Sequence, residues 1–124
     1  MIHPTRRRYA EPVTEPEDLT PERVAELVHE QEAQLVDVRE PYEHEAGRIA
    51  GARHVEFGQL TAAAESIDRE RPVIFYCRMG GRSTVATQAF RASGYNAYNL
   101  EGGLLAWAER GLPLEPEDGH VADH

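Results

Sequence analysis

Residues Ile74–Val85 read IFYCRMGGRSTV and contain Cys77, the single cysteine of the chain. Apolar and aromatic residues lead into it, and two glycines and two arginines follow at once. The run RPVIFYC is the most apolar of the chain and predicts a central strand covered on both faces. The run GRSTVATQAFRASG predicts a helix ending at Gly94. The thiol is therefore expected at the carboxyl end of a buried strand, in the turn that starts a helix.

Strand and helix alternate on either side of this turn. LTPERVAELVHEQE predicts a helix, with Thr20 as N-cap, Pro21 at the first helical position, and Val24, Leu27 and Val28 as its apolar stripe. Arg23 stands where a capping-box acid would be. AQLVDVRE predicts a strand, PYEHEA a short helix opened by Pro41 and stopped by Gly47, and ARHVEF a short strand. QLTAAAESIDRE predicts a helix, YNAYNLEG a strand, and GLLAWAERGLP a last helix closed by Gly111 and Pro113. Such alternation with short connections defines an α/β domain, a mostly parallel sheet in three layers with helices on both faces. Ligands in such sheets bind beyond the carboxyl ends of the strands.

The tails read differently. Residues 1–18 carry three prolines and mixed charges without period, and are expected to form a loosely ordered arm. The domain is expected over 19–114, and 115–124 as a flexible tail. The N-terminus has no apolar h-region of a secretory signal, and no apolar run approaches the ~18 residues of a membrane span.

Composition excludes several functions. With 13 basic and 22 acidic residues the net charge is −9, which argues against nucleic-acid and anionic-membrane partners. All basic residues are arginine, so Schiff-base chemistry and a P-loop lysine are absent. One cysteine makes no internal disulfide and no thiolate metal cluster, and a lone thiol suits a reducing, cytoplasmic setting.

The turn itself has a chemical reading. Gly80 and Gly81 let the backbone aim successive N–H groups inward as an anion-binding nest. The following helix adds its positive end, and Arg78 and Arg82 add full charges. All of these favour thiolate over thiol, whose ordinary pKa is about 8.5. A lone cysteine ending a buried strand is most often a small core residue. The glycine pair, the arginines and the helix favour a sulfur nucleophile in an anion cradle. Asp37 and Arg39 read as an ion pair tying loops together, and Trp107 and Leu104 as core contacts. His120 and His124 are four apart but follow a Pro/Asp/Gly tail, so no metal site is expected.

Four stretches together resemble a rhodanese-like domain of the single-domain thiosulfate sulfurtransferase kind: LTPERVAELV, LVDVREPYEHEAGRIAGARHV, VIFYCRMGGRS and AFRASGYNAYNLEGGLLAW. They span 19–114. The resemblance implies a five-stranded parallel sheet and a catalytic Cys77 that carries a persulfide. It also implies a substrate-binding loop of Arg78, Met79, Gly80, Gly81, Arg82 and Ser83, with no metal and no cofactor. The implied partners are a small-molecule sulfur donor, thiosulfate or a related persulfide, and a cyanide or thiol acceptor. Arg48 departs from the histidine often found before the isoleucine of the family's second turn.

Two other readings compete. Related phosphatases place five residues between cysteine and arginine, whereas four, Arg78 to Gly81, stand here; the shorter loop favours sulfur over phosphate. Arsenate reduction is not separated by loop length. A non-catalytic sulfur carrier or interaction module is the other alternative, and the acidic surface and tails leave room for a protein partner.

Overall fold

The computed structural model describes residues 15–123. The chain runs β1 (Asp18–Leu19), α1 (Pro21–His29), β2 (Gln34–Asp37), α2 (Pro41–Ala46) and β3 (Arg53–His54). Two 3₁₀ turns (Phe57–Gln59 and Ala64–Ser66) flank α3 (Leu60–Ala63), and β4 (Val73–Tyr76), α4 (Gly81–Ala92), β5 (Ala97–Leu100) and α5 (Gly103–Glu109) follow. The strands form one five-stranded sheet in the order β1-β5-β4-β2-β3, every neighbouring pair parallel. The expected mostly parallel sheet is parallel throughout. Among the described residues no helix is long and apolar enough to cross a membrane.

Successive strand residues face opposite sides, so the sheet divides the core. Leu35, Ile74, Tyr76, Tyr98 and Leu100 pack with Val24 and Leu27 of α1 and Leu104 and Trp107 of α5. On the other face Val36, Val73, Phe75 and Ala97 pack with Leu60, Ile67, and Ala86 and Phe90 of α4. All four residues of β4 are fully buried. Burial on both faces stabilises each large side chain there by roughly 1.5–3 kcal/mol. Hence β4 shows an unbroken apolar run rather than alternation.

Local signals account for the helix ends. Thr20 Oγ1 accepts from Arg23 N at 3.1 Å, capping α1 as its spacing predicted. In place of the capping-box bond, the Arg23 side chain pairs with Glu15 at 2.7 Å and Glu26 at 3.0 Å. Gly47 ends α2, but for a different reason than expected. Its φ is 179°, an extended value open to any residue, yet a Cβ there would lie 2.3 Å from the His120 carbonyl oxygen. The glycine makes room for a passing segment.

Three parts of the chain differ from the sequence reading. The helix expected over QLTAAAESIDRE shrinks to one α turn between two 3₁₀ turns. Only Leu60 and Ile67 anchor it in the core, and its alanines supply propensity without an apolar stripe. Strand β1 lies where the arm meets the domain. Leu19 is buried, and Asn99 N donates to the Glu17 carbonyl at 2.8 Å. The rest of the expected arm, 1–14, lies outside the described residues. Residues 115–123, read as a tail, lie along the body. Arg48 and Glu115 exchange backbone bonds at 2.9 and 2.7 Å, His120 N donates to the Ala46 carbonyl at 2.9 Å, and Val121 packs against the core.

Candidate active site

Cys77 follows β4 directly, and its chain turns at once into α4. Gly80 makes that turn with φ +116°, a conformation side chains disfavour. The turn brings Gly80 N to 3.1 Å from Cys77 Sγ, with Ser83 Oγ at 3.4 Å. The sulfur therefore sits at the amino end of a 12-residue helix. Burial pushes the thiol pKa up. The Ser83 hydroxyl and the backbone amides of Ser83, Gly80 and Met79 outweigh it and hold the thiol below its ordinary value. Cys77 is 2% exposed, whereas Met79 at the loop tip is 61% exposed.

The back of the loop rests on α5. Leu104 N donates to the Cys77 carbonyl at 2.9 Å and Leu105 N to the Arg78 carbonyl at 3.0 Å. Gly103, at φ +65°, permits this approach; a Cβ there would stand 2.4 Å from the Arg78 carbonyl oxygen. The first free amides of one helix thus hold the carbonyls of the loop that starts another. Sequence reasoning treated α5 as a packing helix and missed this support; the adjacent Gly102-Gly103 pair was its signal.

Both loop arginines are engaged by the chain itself. Arg82 Nη1 and Nη2 donate to Glu43 Oε1 and Oε2 at 3.1 and 3.3 Å. Glu43 is fully buried and also accepts from Glu40 N at 3.0 Å. Burial pushes the Glu43 carboxyl up, but the bonds from Arg82 and Glu40 N, with the charges of Arg82 and Arg39, hold it below the usual range. Glu43 was not foreseen; its position three residues after Glu40 was the available signal. Arg78 Nε donates to the Ala122 carbonyl at 3.2 Å, and its Nη2 lies 3.7 Å from Asp123 Oδ1. Tyr42 OH donates to the Asp123 carbonyl at 3.2 Å, so the segment 120–123 reaches the mouth of the loop.

Beneath α2, Arg39 grips Asp37 through Nε at 2.9 Å and Nη2 at 2.7 Å, both residues being fully buried. Arg39 Nη2 also donates to the Gly47 carbonyl at 2.7 Å, and His44 Nδ1 lies 2.8 Å from Asp37 Oδ2. The pair ties the end of β2 to the carboxyl end of α2, the structural role its sequence suggested. Through α2 it positions Glu43, and through Glu43 it positions Arg82. Trp107 and Leu104 are core residues, as expected. Among the described residues no group of three or more His, Cys, Asp or Glu is placed to hold a metal. His120 sits in the terminal segment, and His124 lies outside the described residues.

In this parallel α/β sheet a cysteine at a strand end meets amides at a helix start, an arrangement that favours thiolate over thiol. The chain belongs to the Rhodanese-like domain family, which it matches over residues 20–110. It is 45% identical over 76 residues to the uncharacterized protein YqhL of Bacillus subtilis, and this match spans 60% of each chain. It is 32% identical over 90 residues to the thiosulfate sulfurtransferase GlpE of Pseudomonas aeruginosa, covering 72% of this chain and 81% of that protein. The crystal structure of a rhodanese-related protein from Thermoplasma volcanium superposes with a TM-score of 0.75 at 26% identity, covering 80% of this chain and 97% of that one.

Proposed function

We propose that the protein is a sulfurtransferase that moves a sulfane sulfur from thiosulfate, or a related persulfide donor, to cyanide or a thiol through a Cys77 persulfide. The observation that carries this reading is the Gly80 amide aimed at Cys77 Sγ from 3.1 Å at the start of α4. A sulfur held this way is a nucleophile, and the same amides suit an anion arriving beside it. The Pseudomonas relative, named for thiosulfate, supports the choice of donor.

The transfer has two steps. The Cys77 thiolate attacks the sulfane sulfur of thiosulfate; a Cys77 S–S bond forms, the donor's S–S bond breaks, and sulfite leaves with the bonding electrons. Cyanide or a thiolate then attacks the outer sulfur of the persulfide. That S–S bond breaks, Cys77 regains its thiolate, and thiocyanate or a hydropersulfide departs.

The persulfide's outer sulfur carries the negative charge, and the amides from Met79 to Ser83 stabilise it in the manner of an oxyanion hole. Arg82, tied to Glu43, acts from behind the loop as a fixed cation. Arg78 meets the anionic donor when segment 120–123 yields it. The lone thiol supports placing this chemistry in the reducing cytoplasm.

Intact-protein mass spectrometry after incubation with thiosulfate tests the reading. A gain of one sulfur atom, removed by cyanide and absent from Cys77→Ser, is expected. No gain with thiosulfate or with glutathione persulfide overturns it and turns attention to arsenate reduction or a partner-binding role.

A further inference from the structure

Ser83 has one hydroxyl proton and three acceptors near it. Its Oγ lies 3.4 Å from Cys77 Sγ, 3.3 Å from the Gly80 carbonyl oxygen and 2.5 Å from Asn99 Oδ1. A hydroxyl donates one hydrogen bond, so the proton rests with the closest acceptor, the Asn99 amide oxygen. Ser83 and Asn99 are both buried, with 0% and 3% exposure, so no water relieves the competition.

The Asn99 amide is oriented from outside. Its Nδ2 donates to Asp18 Oδ1 at 2.9 Å. An ionised carboxylate only accepts, so the amide must turn its nitrogen to Asp18 and its oxygen to Ser83. Asp18 is exposed, and it stands opposite Asn99 in the β1–β5 pairing. The two-residue strand β1 thus places a carboxylate two hydrogen bonds away from Ser83's hydroxyl proton.

We propose that Asp18 and Asn99 are a positioning pair that holds the Ser83 proton away from Cys77 in the resting site and yields it when negative charge forms on sulfur. The proposal rests on Cys77 as the nucleophile. A neutral amide oxygen is a weaker acceptor than an anionic sulfur, whose charge-assisted bond is about twice as strong. Rotation about one Ser83 bond moves the proton from Asn99 to sulfur, with no bond made or broken elsewhere. The pair therefore moderates the resting thiol and keeps one donor in reserve for the anion. The charged groups around the thiol are Arg78 within the loop, bound to segment 122–123, and Arg82 from α4, bound to Glu43 of α2. Asp18 differs from these in acting through a hydroxyl.

The rate of Cys77 alkylation by iodoacetamide, followed against pH, reads the thiol directly and needs no sulfur donor. Asp18→Asn releases the Asn99 amide to turn over and donate to Ser83, whose proton then serves sulfur. The midpoint of the profile should move to lower pH by roughly 0.5–1 unit, part of one hydrogen bond to a charged acceptor. Losing an acidic charge lowers the midpoint as well, so the Ser83→Ala background decides. There the effect of Asp18→Asn should shrink to the part owed to charge alone; an equal shift with Ser83 absent would reduce Asp18 to a plain charge effect and overturn the proposal. Asn99→Leu, which changes no charge, should also lower the midpoint when Ser83 is present. An unchanged or raised midpoint in both single variants overturns the proposal too. Sulfur loading from thiosulfate is scored separately: loading can fail while these shifts hold, or succeed while they do not.

Discussion

Arg82 and Glu43 meet through two parallel bonds, with the carboxylate wholly buried and the guanidinium side chain 23% exposed. One partner belongs to the loop helix α4 and the other to α2. The pair thus fixes the distance between the Cys77 turn and the segment after β2. Glu43→Gln keeps the shape and removes the charge, leaving a cation without its carboxylate. Removing one partner of a buried pair is costly, and the partial exposure of Arg82 reduces the loss. A destabilisation of about 2–3 kcal/mol is expected from the urea midpoint, with Glu43→Ala losing more. Unchanged stability would show that the pair contributes no net cohesion.

Acid should expose the same pair. In both Asp37 and Glu43 burial raises the carboxyl pKa, but the bonds and charges of Arg39 and Arg82 respectively outweigh it, so both sit below the usual range in the folded protein. The unfolded chain then binds protons first as pH falls, so these groups contribute stability above the ordinary carboxylate range and lose it below. The urea midpoint should be steady near neutrality and fall below about pH 4. Glu43→Gln should flatten that fall; an equally steep fall in the variant would place the acid sensitivity elsewhere.

Gly103→Ala should damage the loop from behind. Its Cβ would stand 2.4 Å from the Arg78 carbonyl oxygen, and the residue would keep φ +65°. Overpacking against backbone costs about 1–3 kcal/mol, with conformational strain in addition. Sulfur loading should fall more steeply than stability, because the two amides that hold the Cys77 and Arg78 carbonyls must move. Full loading in a destabilised protein would separate that support from the chemistry.

The terminal segment offers a contrast, since two different changes should have the same effect. Deleting residues 115–124 and substituting Gly47→Ala both lift the chain from Arg78, the second because its Cβ would strike the His120 carbonyl oxygen. Each should cost about 1–3 kcal/mol, the scale of a half-buried valine and a few backbone bonds. Each should also lower KM for thiosulfate with kcat little changed, as Arg78 becomes available to the donor. A raised KM in both would mean that the segment builds the donor site instead of covering it.

Much of this was legible in the sequence because the signals were local. The apolar run into Cys77, the glycine turn, Thr20 before Pro21 and the boundaries Pro41–Ala46 each depend on neighbours along the chain. Cys77, Gly80 and Ser83 come together as expected because a strand, a turn and a helix leave them little choice. The partners of Arg82, Ser83 and Arg78 were not legible. Glu43, Asn99 and Ala122 lie far from them in sequence, and no period or spacing records a contact across a sheet. Gly47 and Gly103 show a subtler limit. Each looked like a helix boundary, and each is also glycine because another stretch of backbone passes within van der Waals reach.

The engagement of both loop arginines has a consequence for how a donor arrives. Arg82 is balanced by Glu43, and Arg78 faces Asp123, while the whole molecule carries a net charge of −9. At a distance the protein therefore presents a repelling field to a dianion, and its attraction begins only within contact range of the loop amides. Added salt shortens the reach of that field, from about 30 Å at 0.01 M to about 10 Å at 0.1 M. The second-order rate of sulfur loading by thiosulfate should then rise with ionic strength, opposite to the behaviour of an electrostatically steered enzyme. A rate that falls with salt would mean that the loop cations project beyond their partners. Capture of substrate would in that case begin well before contact.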